Sequence, residues 1–411
     1  MSQEFSGKAV IPGQDAEVTV VSTLPPFAKI IGKAKTYAHD CRMPDRVQAP
    51  GQGKRPDKIL LSLKERSWHC RNQSIGTIEE GFSVKGGIVT ASGCPILGVS
   101  QLFWEKKYAD AKQNRMPNLN NAKNLAGGFT VLPYSISARY NNFFHFVTEY
   151  MCLVPAIEEQ RGLPDYRRVV ITTDAPEEGS FQHGLLSAWF GERYEEVIFE
   201  PGIFRADSIA FPIDRCDYYK RINGSDTILS EMTLDAWHGM AGVLSAGLKE
   251  IYDRLSSQAP LHNDMPKIVI ISRARAGRRR LINEEQLVEA LSGYGACQVI
   301  LEEYPVEKQI EIVANAHVLI GCHGAGMINA GFLKPGSLAV EMTSRQYLPR
   351  ADDFAGQAAL RDISYHVVLC DEDGDYKKES KLESNLGNDI LLTDSAIKHI
   401  VDICRQHIEY M

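Results

Sequence analysis

The stretch from His317 to Met342, HVLIGCHGAGMINAGFLKPGSLAVEM, decides the fold of the second half of the chain. It opens with an apolar run at Val318–Gly321, turns through a glycine-rich segment and continues with a helical pattern at Ala325–Leu333. A second apolar run follows at Ser337–Met342. Two short apolar runs joined by a helix are typical of a βαβ unit, whose two strands are parallel. The stretch therefore predicts one part of a parallel sheet.

The same alternation extends on both sides of this stretch. Further strands are expected at Lys267–Ser272, Gln298–Glu303 and Ser364–Cys370, and further helices at Asn283–Gly293, Pro305–Ala316 and Tyr347–Ala359. Strictly alternating strands and helices predict α/β structure with a parallel sheet covered on both faces, the doubly wound architecture of nucleotide-binding domains. A last helix at Thr393–Glu409 has no partner strand, and it is expected to pack back on the N-terminal domain.

The first half of the chain has a less regular pattern. Short apolar runs between Lys58 and Glu105 are separated by turn residues, which predicts β-hairpins. The remaining expected elements are strands at 16–21, 128–133, 168–173, 196–200 and 208–211, and helices at 142–159, 180–190 and 226–255. Because Ser256–Pro266 has linker composition, we divide the chain into an N-terminal domain (1–260), a C-terminal domain (261–392) and a terminal helix (393–411).

Composition restricts the class of protein. A length of 411 residues suits two domains, and 44% hydrophobic with 24% charged residues is typical of a folded protein. A net charge of −7 argues against general binding to nucleic acid or anionic membranes. No run is long and apolar enough for a transmembrane segment, and the first residues lack the pattern of a signal peptide. The nine cysteines form no CxxC pair, which disfavours a zinc site and favours a cytoplasmic setting.

The glycine-rich turn is the first candidate binding element. Gly324 and Gly326 allow a tight turn and a close approach of the backbone to a ligand, and Ala325 opens a helix whose N-terminal N–H groups attract anions. His323 could donate a hydrogen bond to a phosphate or a sugar. Alternatively, a tight turn between strand and helix needs glycine in any case, and His323 merely caps it. The spacing alone does not decide between these interpretations, and it is not the GxGxxG fingerprint of dinucleotide sites.

The second candidate element is the segment ISRARAGRRRLINEE, Ile271–Glu285, which carries five arginines. It begins where a strand ends, and ligands of open α/β sheets bind at that edge. Arginine guanidinium groups match phosphate oxygens in geometry and charge. A solvated charged loop is the alternative, but the position favours a diphosphate site, with Arg273 nearest the strand end. Ser272 and Arg278 are expected to contribute.

The third candidate element is NNFFHFVTEYM, Asn141–Met151. In a helix, His145 and Glu149 project from one face, where an imidazole and a carboxylate can act together in acid–base catalysis. A structural contact within an aromatic helix is the alternative, and the pattern taken alone favours it.

Two acidic features remain. Glu341 ends a predicted strand, where it could accept hydrogen bonds from a ribose or be a plain surface residue. The run DEDGD at 371–375 has DxD spacing, but Tyr376 occupies the position where a calcium loop needs glycine. We therefore expect no metal site, and the motifs of α/β-hydrolases and P-loop NTPases do not occur.

Taken together, HGAG with the following PGSLAVE, the ISR…RRRLINE segment and NNFFHFVTE resemble glycosyltransferase family 61. The resemblance extends from about Phe82 to Cys370 and is strongest between Ile268 and Glu341. One position departs from the usual pattern, since the family has His-x-x-x-Asp where this chain has Glu149. Secretory members of the family carry an anchor or signal sequence, and no such pattern is seen in this sequence. The chain is therefore expected to belong to the soluble bacterial branch associated with capsular polysaccharide.

The resemblance implies a GT-B architecture, in which two Rossmann-like domains enclose a central cleft. It also implies an inverting, metal-independent transfer of a hexose or pentose from a nucleotide sugar, such as a UDP-sugar, to a hydroxyl of a glycan. Glu149 and His145 would then be catalytic and Asn142 would lie on the acceptor side. The nucleotide and its diphosphate would contact Ser272, Arg273, Arg278, His323, Gly324, Ala325, Gly326 and Glu341. Two alternatives are a catalytically silent protein that binds a nucleotide or glycan, and a sugar-nucleotide epimerase.

Overall fold

The structure is a computed structural model that describes residues 7–10, 17–23, 69–71, 74–84, 87–90, 118–134, 140–155, 168–213, 243–344, 347, 352–373 and 388–410. These residues form two compact units. Most described residues of the first lie between Arg71 and Ile251, and most of those of the second lie from Tyr252 onward, with His69, Cys70, Val243 and Leu244 also in the second. The division therefore falls before the segment predicted as a linker.

The described residues alternate between strands and helices through much of the chain. The strands are β1 (Gly7–Val10), β2 (Glu17–Thr23), β3 (His69–Arg71), β4 (Ser74–Val84), β5 (Gly87–Thr90), β6 (Lys123–Leu132), β7 (Val169–Ile171), β8 (Ile198–Phe199), β9 (Phe204–Ile213), β10 (Val243–Ser245), β11 (Ile268–Ile271), β12 (Ala296–Val299), β13 (Val318–Cys322), β14 (Leu338–Thr343), β15 (Ser364–Leu369), β16 (Asp371–Asp373) and β17 (Asp389–Leu391). The α-helices are α1 (Phe143–His145), α2 (Phe181–Phe190), α3 (Ala246–Gln258), α4 (Glu284–Leu291), α5 (Val306–Asn315), α6 (Asp352–Leu360) and α7 (Asp394–Glu409).

The first unit is built on a mixed sheet in the order β1-β2-β4-β9-β6-β7-β8, with β5 paired to β4. The pairs β9–β6, β6–β7 and β7–β8 are parallel, whereas β1–β2, β2–β4, β4–β5 and β4–β9 are antiparallel. Phe129, Val170 and Phe211 belong to the core that this sheet buries. The last four residues of β6, from Phe129 to Leu132, are all buried, so this end of the strand is covered on both faces.

The second unit confirms the predicted parallel sheet. Its five strands lie in the order β12-β11-β13-β14-β15, and each pair is parallel. The helices α4, α5 and α6 connect successive strands, as the sequence pattern predicts. The segment Ala325–Phe332 differs, because it is a 3-10 helix and not an α-helix. It packs so closely that a Cβ on Gly331 would lie 2.2 Å from the Tyr252 ring.

The terminal helix α7 lies on the second unit, so the prediction that it packs on the N-terminal domain is wrong. Ala396, Ile400 and Cys404 are buried in the same core as residues of β11, β13 and β14. They recur every four residues and form one apolar stripe, which a sheet face can bury. The stripe predicts that the helix packs, but it does not identify the sheet that receives it.

The long helix predicted at 226–255 is also corrected in part. Val243–Ser245 forms a strand, and α3 begins at Ala246 and continues to Gln258, beyond the predicted end. Residues 214–242 lie outside the described part of the chain, as do 91–117, which include part of the predicted hairpin region.

Candidate active site

The order of the strands in the second unit identifies a binding edge. The chain runs from β11 to β12 on one side of the sheet and then returns to β13 on the other side of β11. Open α/β sheets bind ligands where the strand order reverses in this way, at the carboxyl ends of the two strands. Here those ends are adjacent, since Ile271 pairs with Gly321. The arginine-rich segment follows one strand and the glycine-rich turn follows the other.

Arg273 and Gly324 are in direct contact at this edge. The guanidinium of Arg273 donates from Nε to the carbonyl of Arg279 and from Nη2 to the carbonyl of Arg278, both at 3.2 Å. Its Nη1 lies so near Gly324 that a Cβ there would be 2.6 Å away. Glycine at 324 is therefore needed for the approach of this arginine. The structure thus brings together two residues that the sequence assigned to one diphosphate site.

Arg279 is a third member of this cluster, which the sequence-based assignment of the site did not include. Its Nη1 donates to the carbonyl of His323 at 3.1 Å, and its guanidinium carbon lies 4.7 Å from the ring centroid of Tyr347. Its φ angle is +56°, a left-handed conformation that is uncommon for residues other than glycine. The three hydrogen bonds that Arg273 and Arg279 donate to backbone carbonyls hold this segment in place. A left-handed angle cannot be read from the run RRR, which explains the omission.

The remaining arginines of the segment have other roles. Arg275 forms an exposed ion pair with Glu303. Arg280 donates three hydrogen bonds to the carboxylate of Asp389, from its guanidinium at 2.9 Å and 2.6 Å and from its backbone N–H at 2.8 Å. The hydrogen bond from Arg280 holds the pKa of Asp389 below its usual value. Arg278 has an exposed side chain and contributes its carbonyl to Arg273.

His323 forms a buried group with two other polar side chains. Its Nδ1 lies 2.5 Å from Oε1 of Glu341, and the hydroxyl of Tyr365 donates to Oε2 of the same carboxylate. Glu341 is fully buried, and His323 is 5% exposed. Complete burial shows that Glu341 is not a plain surface residue, and both of its carboxylate oxygens contact protein groups. A hydrogen bond from a ribose to Glu341 stays a prediction. Two aromatic rings also lie beside His323. The centroid of its imidazole ring is 4.7 Å from that of Tyr347 and 5.3 Å from that of Phe354.

The thiol of Cys322 shows which charges act at this edge. Burial raises its pKa to about 12. The positive charges of Arg273 and Arg279 act in the opposite direction, and the carboxylates of Glu284 and Glu341 reinforce the effect of burial. The thiol is therefore protonated at neutral pH. The charges of two guanidinium groups and two carboxylates all act on this one side chain at the binding edge.

Ser272, Ala325 and Gly326 complete the predicted set at the binding edge. The buried Ser272 accepts at Oγ from the N–H of Ala274 at 3.2 Å, which stabilises the turn after β11. Ala325 and Gly326 begin the 3-10 helix. The first N–H groups of a helix have no partner within the helix, so they are suited to anion binding.

The second group of predicted residues lies in the first unit. The Nδ1 of His145 is 2.8 Å from Oε1 of Glu149, and both side chains are partly exposed, at 23% and 15%. The predicted helix is irregular: α1 ends at His145, Phe146–Tyr150 is a π-helix, and Met151–Leu153 is a 3-10 helix. Single π-helical turns occur frequently at functional sites. Residues 156–159 of the predicted helix lie outside the described residues.

A buried aromatic cluster fixes this irregular helix. Tyr134 stacks edge-on against Tyr150 at 4.8 Å and donates its hydroxyl to the carbonyl of Tyr150 at 2.9 Å. Phe146 contacts Tyr140 at 5.3 Å and Phe181 at 5.6 Å. Burial raises the pKa of Tyr134 well above its usual value, so its phenol stays protonated and can donate.

Asn142 has a structural role that sequence reasoning did not foresee. Its Oδ1 accepts from the N–H of His145 at 3.3 Å and caps α1. This cap orients the start of the segment that carries His145 and Glu149. The assignment of Asn142 to an acceptor stays a prediction.

Two further observations are limited to the part of the chain that the structure describes. In these residues, no three His, Cys, Asp or Glu side chains form a group that could hold a metal ion. The run DEDGD is described only at Asp371–Asp373, which pairs as β16 with β17. No helix within the same ranges is long and apolar enough to cross a membrane.

Comparison with known proteins points to one enzyme class. The family model "Glycosyltransferase 61" matches residues 143–340. This match covers just under half of the chain, begins at α1 and ends next to Glu341. It thus includes His145, Glu149, the arginine-rich segment and the glycine-rich turn.

Three curated relatives match over shorter stretches. The chain is 31% identical over 109 residues to a protein O-linked-mannose β-1,4-N-acetylglucosaminyltransferase 2 of Tetraodon nigroviridis, covering 25% of this chain and 18% of the relative. It is 32% identical over 122 residues to the protein of the same name in Takifugu rubripes, covering 27% and 20%. It is 31% identical over 130 residues to a β-1,2-xylosyltransferase of Oryza sativa subsp. japonica, covering 30% and 21%. The chain therefore spans about a fifth of the length of the relatives it matches.

Proposed function

We propose that the chain is an inverting glycosyltransferase that moves a sugar from a UDP-sugar to a hydroxyl group of a glycan acceptor. The observation that carries this proposal is the contact of Arg273 with Gly324 at the switch point of a five-stranded parallel sheet. Both residues lie within the matched family region, and the curated relatives bear the names of an N-acetylglucosaminyltransferase and a xylosyltransferase.

The binding edge suits the departure of a nucleoside diphosphate. When the bond to the anomeric carbon breaks, the leaving diphosphate gains negative charge. Arg273 and Arg279 supply two guanidinium groups that do not lose their protons at working pH, and the N–H groups at Ala325 and Gly326 add a helix N-terminus. Preorganised positive groups of this kind stabilise developing charge in a transition state. We therefore propose that the transfer is independent of metal ions.

The pair in the first unit suits proton removal from the acceptor. Displacement with inversion needs a base near the attacking hydroxyl, and a carboxylate or an imidazole can serve. We propose that Glu149 is the base and that His145, at 2.8 Å, orients it. The GT-B arrangement, with this pair and the diphosphate site on opposite sides of a cleft, is part of the proposal. A role in polysaccharide synthesis and a cytoplasmic location stay predictions.

The test is a transfer assay with UDP-N-acetylglucosamine and UDP-xylose, each with and without a panel of glycan acceptors. We expect UDP release that requires an acceptor, a product of inverted anomeric configuration by NMR, and loss of both in Arg273→Ala. The matched control is Arg275→Ala, because Arg275 is 75% exposed and lies in the same segment. A silent binding protein would bind UDP-sugars without releasing UDP, and an epimerase would convert them without an acceptor. Either result would overturn the proposal.

A further inference from the structure

Glu341 is a buried acidic residue, and each of its two carboxylate oxygens contacts a hydrogen-bonding group of another side chain. It is 0% exposed, its Oε1 lies 2.5 Å from Nδ1 of His323, and its Oε2 accepts from the hydroxyl of Tyr365. An isolated carboxylate at such a position would cost several kcal/mol, and this cost falls only when the charge is paired and hydrogen-bonded. The protonation states of Glu341 and His323 are therefore linked.

Three arrangements satisfy this geometry: an imidazolium that donates to a carboxylate, a neutral imidazole that donates from Nδ1 to a carboxylate, and a neutral carboxyl group that donates to a neutral imidazole. The hydrogen bond from Tyr365 stabilises the carboxylate more than the neutral acid, which disfavours the third arrangement. Of the other two, only the imidazolium compensates the buried negative charge of Glu341 with a positive one. The geometry therefore favours the ion pair.

The other groups around His323 act in both directions. Arg279 contacts its carbonyl, and Arg273 contacts the neighbouring Gly324; these charges oppose an imidazolium but stabilise the carboxylate. Coulomb energies fall with distance, so the carboxylate in direct contact has the larger effect on the ring. Of the remaining neighbours, the buried thiol of Cys322 stays neutral and Phe354 is uncharged. The Tyr347 ring, 4.7 Å away, also favours a cation.

We propose that Glu341 and Tyr365 are positioning residues that keep His323 as an imidazolium, so that the donor diphosphate meets a third positive group beside Arg273 and Arg279. The identity of the ligand rests on the proposed function, whereas the charge state of His323 does not. Glu341 lies deeper than His323, so the positive end of the pair is the one nearer the binding edge. An unpaired histidine would change its charge near neutral pH, whereas His323 paired with Glu341 stays positively charged there.

The first test measures the charge state without a ligand. In the full chain with ¹⁵N-labelled histidine, His323→Gln identifies the ring signals of His323. We expect both ring nitrogens to show imidazolium shifts from about pH 6 to about pH 8.5, above the range in which ordinary histidines titrate. In Tyr365→Phe the titration should move to lower pH, while the matched control Tyr304→Phe, at a residue that is 42% exposed, should leave it unchanged. A neutral His323 at about pH 7 in the unaltered protein would overturn the inference.

The second test measures binding of UDP-N-acetylglucosamine by calorimetry over the same pH range. This ligand is chosen because its diphosphate has no ionisation in that range. We expect a constant Kd in the unaltered protein and a Kd that rises on the order of tenfold toward high pH in Glu341→Gln, because His323 then loses its charge. If Glu341→Gln does not fold, Tyr365→Phe should show the same trend in weaker form. A parallel pH profile in all variants would overturn the diphosphate role of His323.

The two tests separate the two proposals. A neutral His323 together with binding that depends on Arg273 would overturn this inference and leave the proposed function intact. An imidazolium signal with no binding of any UDP-sugar would overturn the proposed function and the diphosphate role, while the positioning of His323 by Glu341 would stand.

Discussion

Gly324→Ala tests whether Arg273 and the glycine-rich turn form one site. An alanine Cβ would lie 2.6 Å from Nη1 and 3.3 Å from Cζ of Arg273, closer than real contacts allow. The backbone angle of Gly324 is extended, so alanine adds no backbone strain there. The end of the arginine side chain must therefore move and disrupt its two hydrogen bonds of 3.2 Å. At about 1 kcal/mol for each bond, UDP affinity should fall about 5-fold to 30-fold.

A double-mutant cycle measured by calorimetry with UDP makes this test specific. Arg273→Ala alone removes a charge-assisted contact of about 1.5–3 kcal/mol, which raises the Kd about 10-fold to 100-fold. In that background Gly324→Ala should have almost no further effect, because the clashing atom is absent. Gly293→Ala is the control, since nothing lies within 4 Å of the added Cβ. If Gly324→Ala weakens binding equally in both backgrounds, Gly324 acts by its own approach to the ligand, and the coupling that we infer is wrong.

Three further predictions concern the base, metal ions and pH. Glu149→Gln should lower turnover about 10²-fold to 10⁴-fold with UDP affinity retained; normal turnover in Glu149→Gln with none in His145→Ala would reverse their roles. Transfer should continue in EDTA, and a complete loss that manganese restores would contradict the role given to the arginines. The pKa values of His317 and His407 are both lowered, mainly by burial. The folded state thus binds fewer protons, so stability should decrease as the pH falls below about 6.5, and His407→Gln should reduce this decrease in urea unfolding at about pH 5.5 and pH 8.

Periodicity was sufficient to predict the second unit because its central strands β11, β13 and β14 are buried on both faces. Ile268–Ile271 and Val318–Cys322 are continuous apolar runs in the centre of the sheet, and the helices between them alternate in a regular way. The 3-10 form of the helix after Gly324 and the close packing of the Tyr252 ring against Gly331 could not be predicted, since neither has a periodic signal in the sequence. The predicted packing of the terminal helix was wrong for a related reason, because an apolar stripe does not specify which surface buries it.

The candidate site shows a second limit of sequence reasoning, which concerns the distinction between a ligand contact and its support. Arg273, Arg278 and Arg279 are the same residue type, and only the fold distinguishes them. The guanidinium of Arg273 donates to a backbone carbonyl at the binding edge, the side chain of Arg278 is exposed, and Arg279 has a left-handed backbone. The assignment of Glu341 to the nucleotide site stays a prediction, whereas its complete burial and its contact with His323 could not be predicted from the sequence. Residue type and position at a strand end therefore predict where a site lies. The division of labour within the site depends on burial and on contacts between residues far apart in the chain, such as Tyr365 with Glu341, for which a single sequence contains no periodic signal.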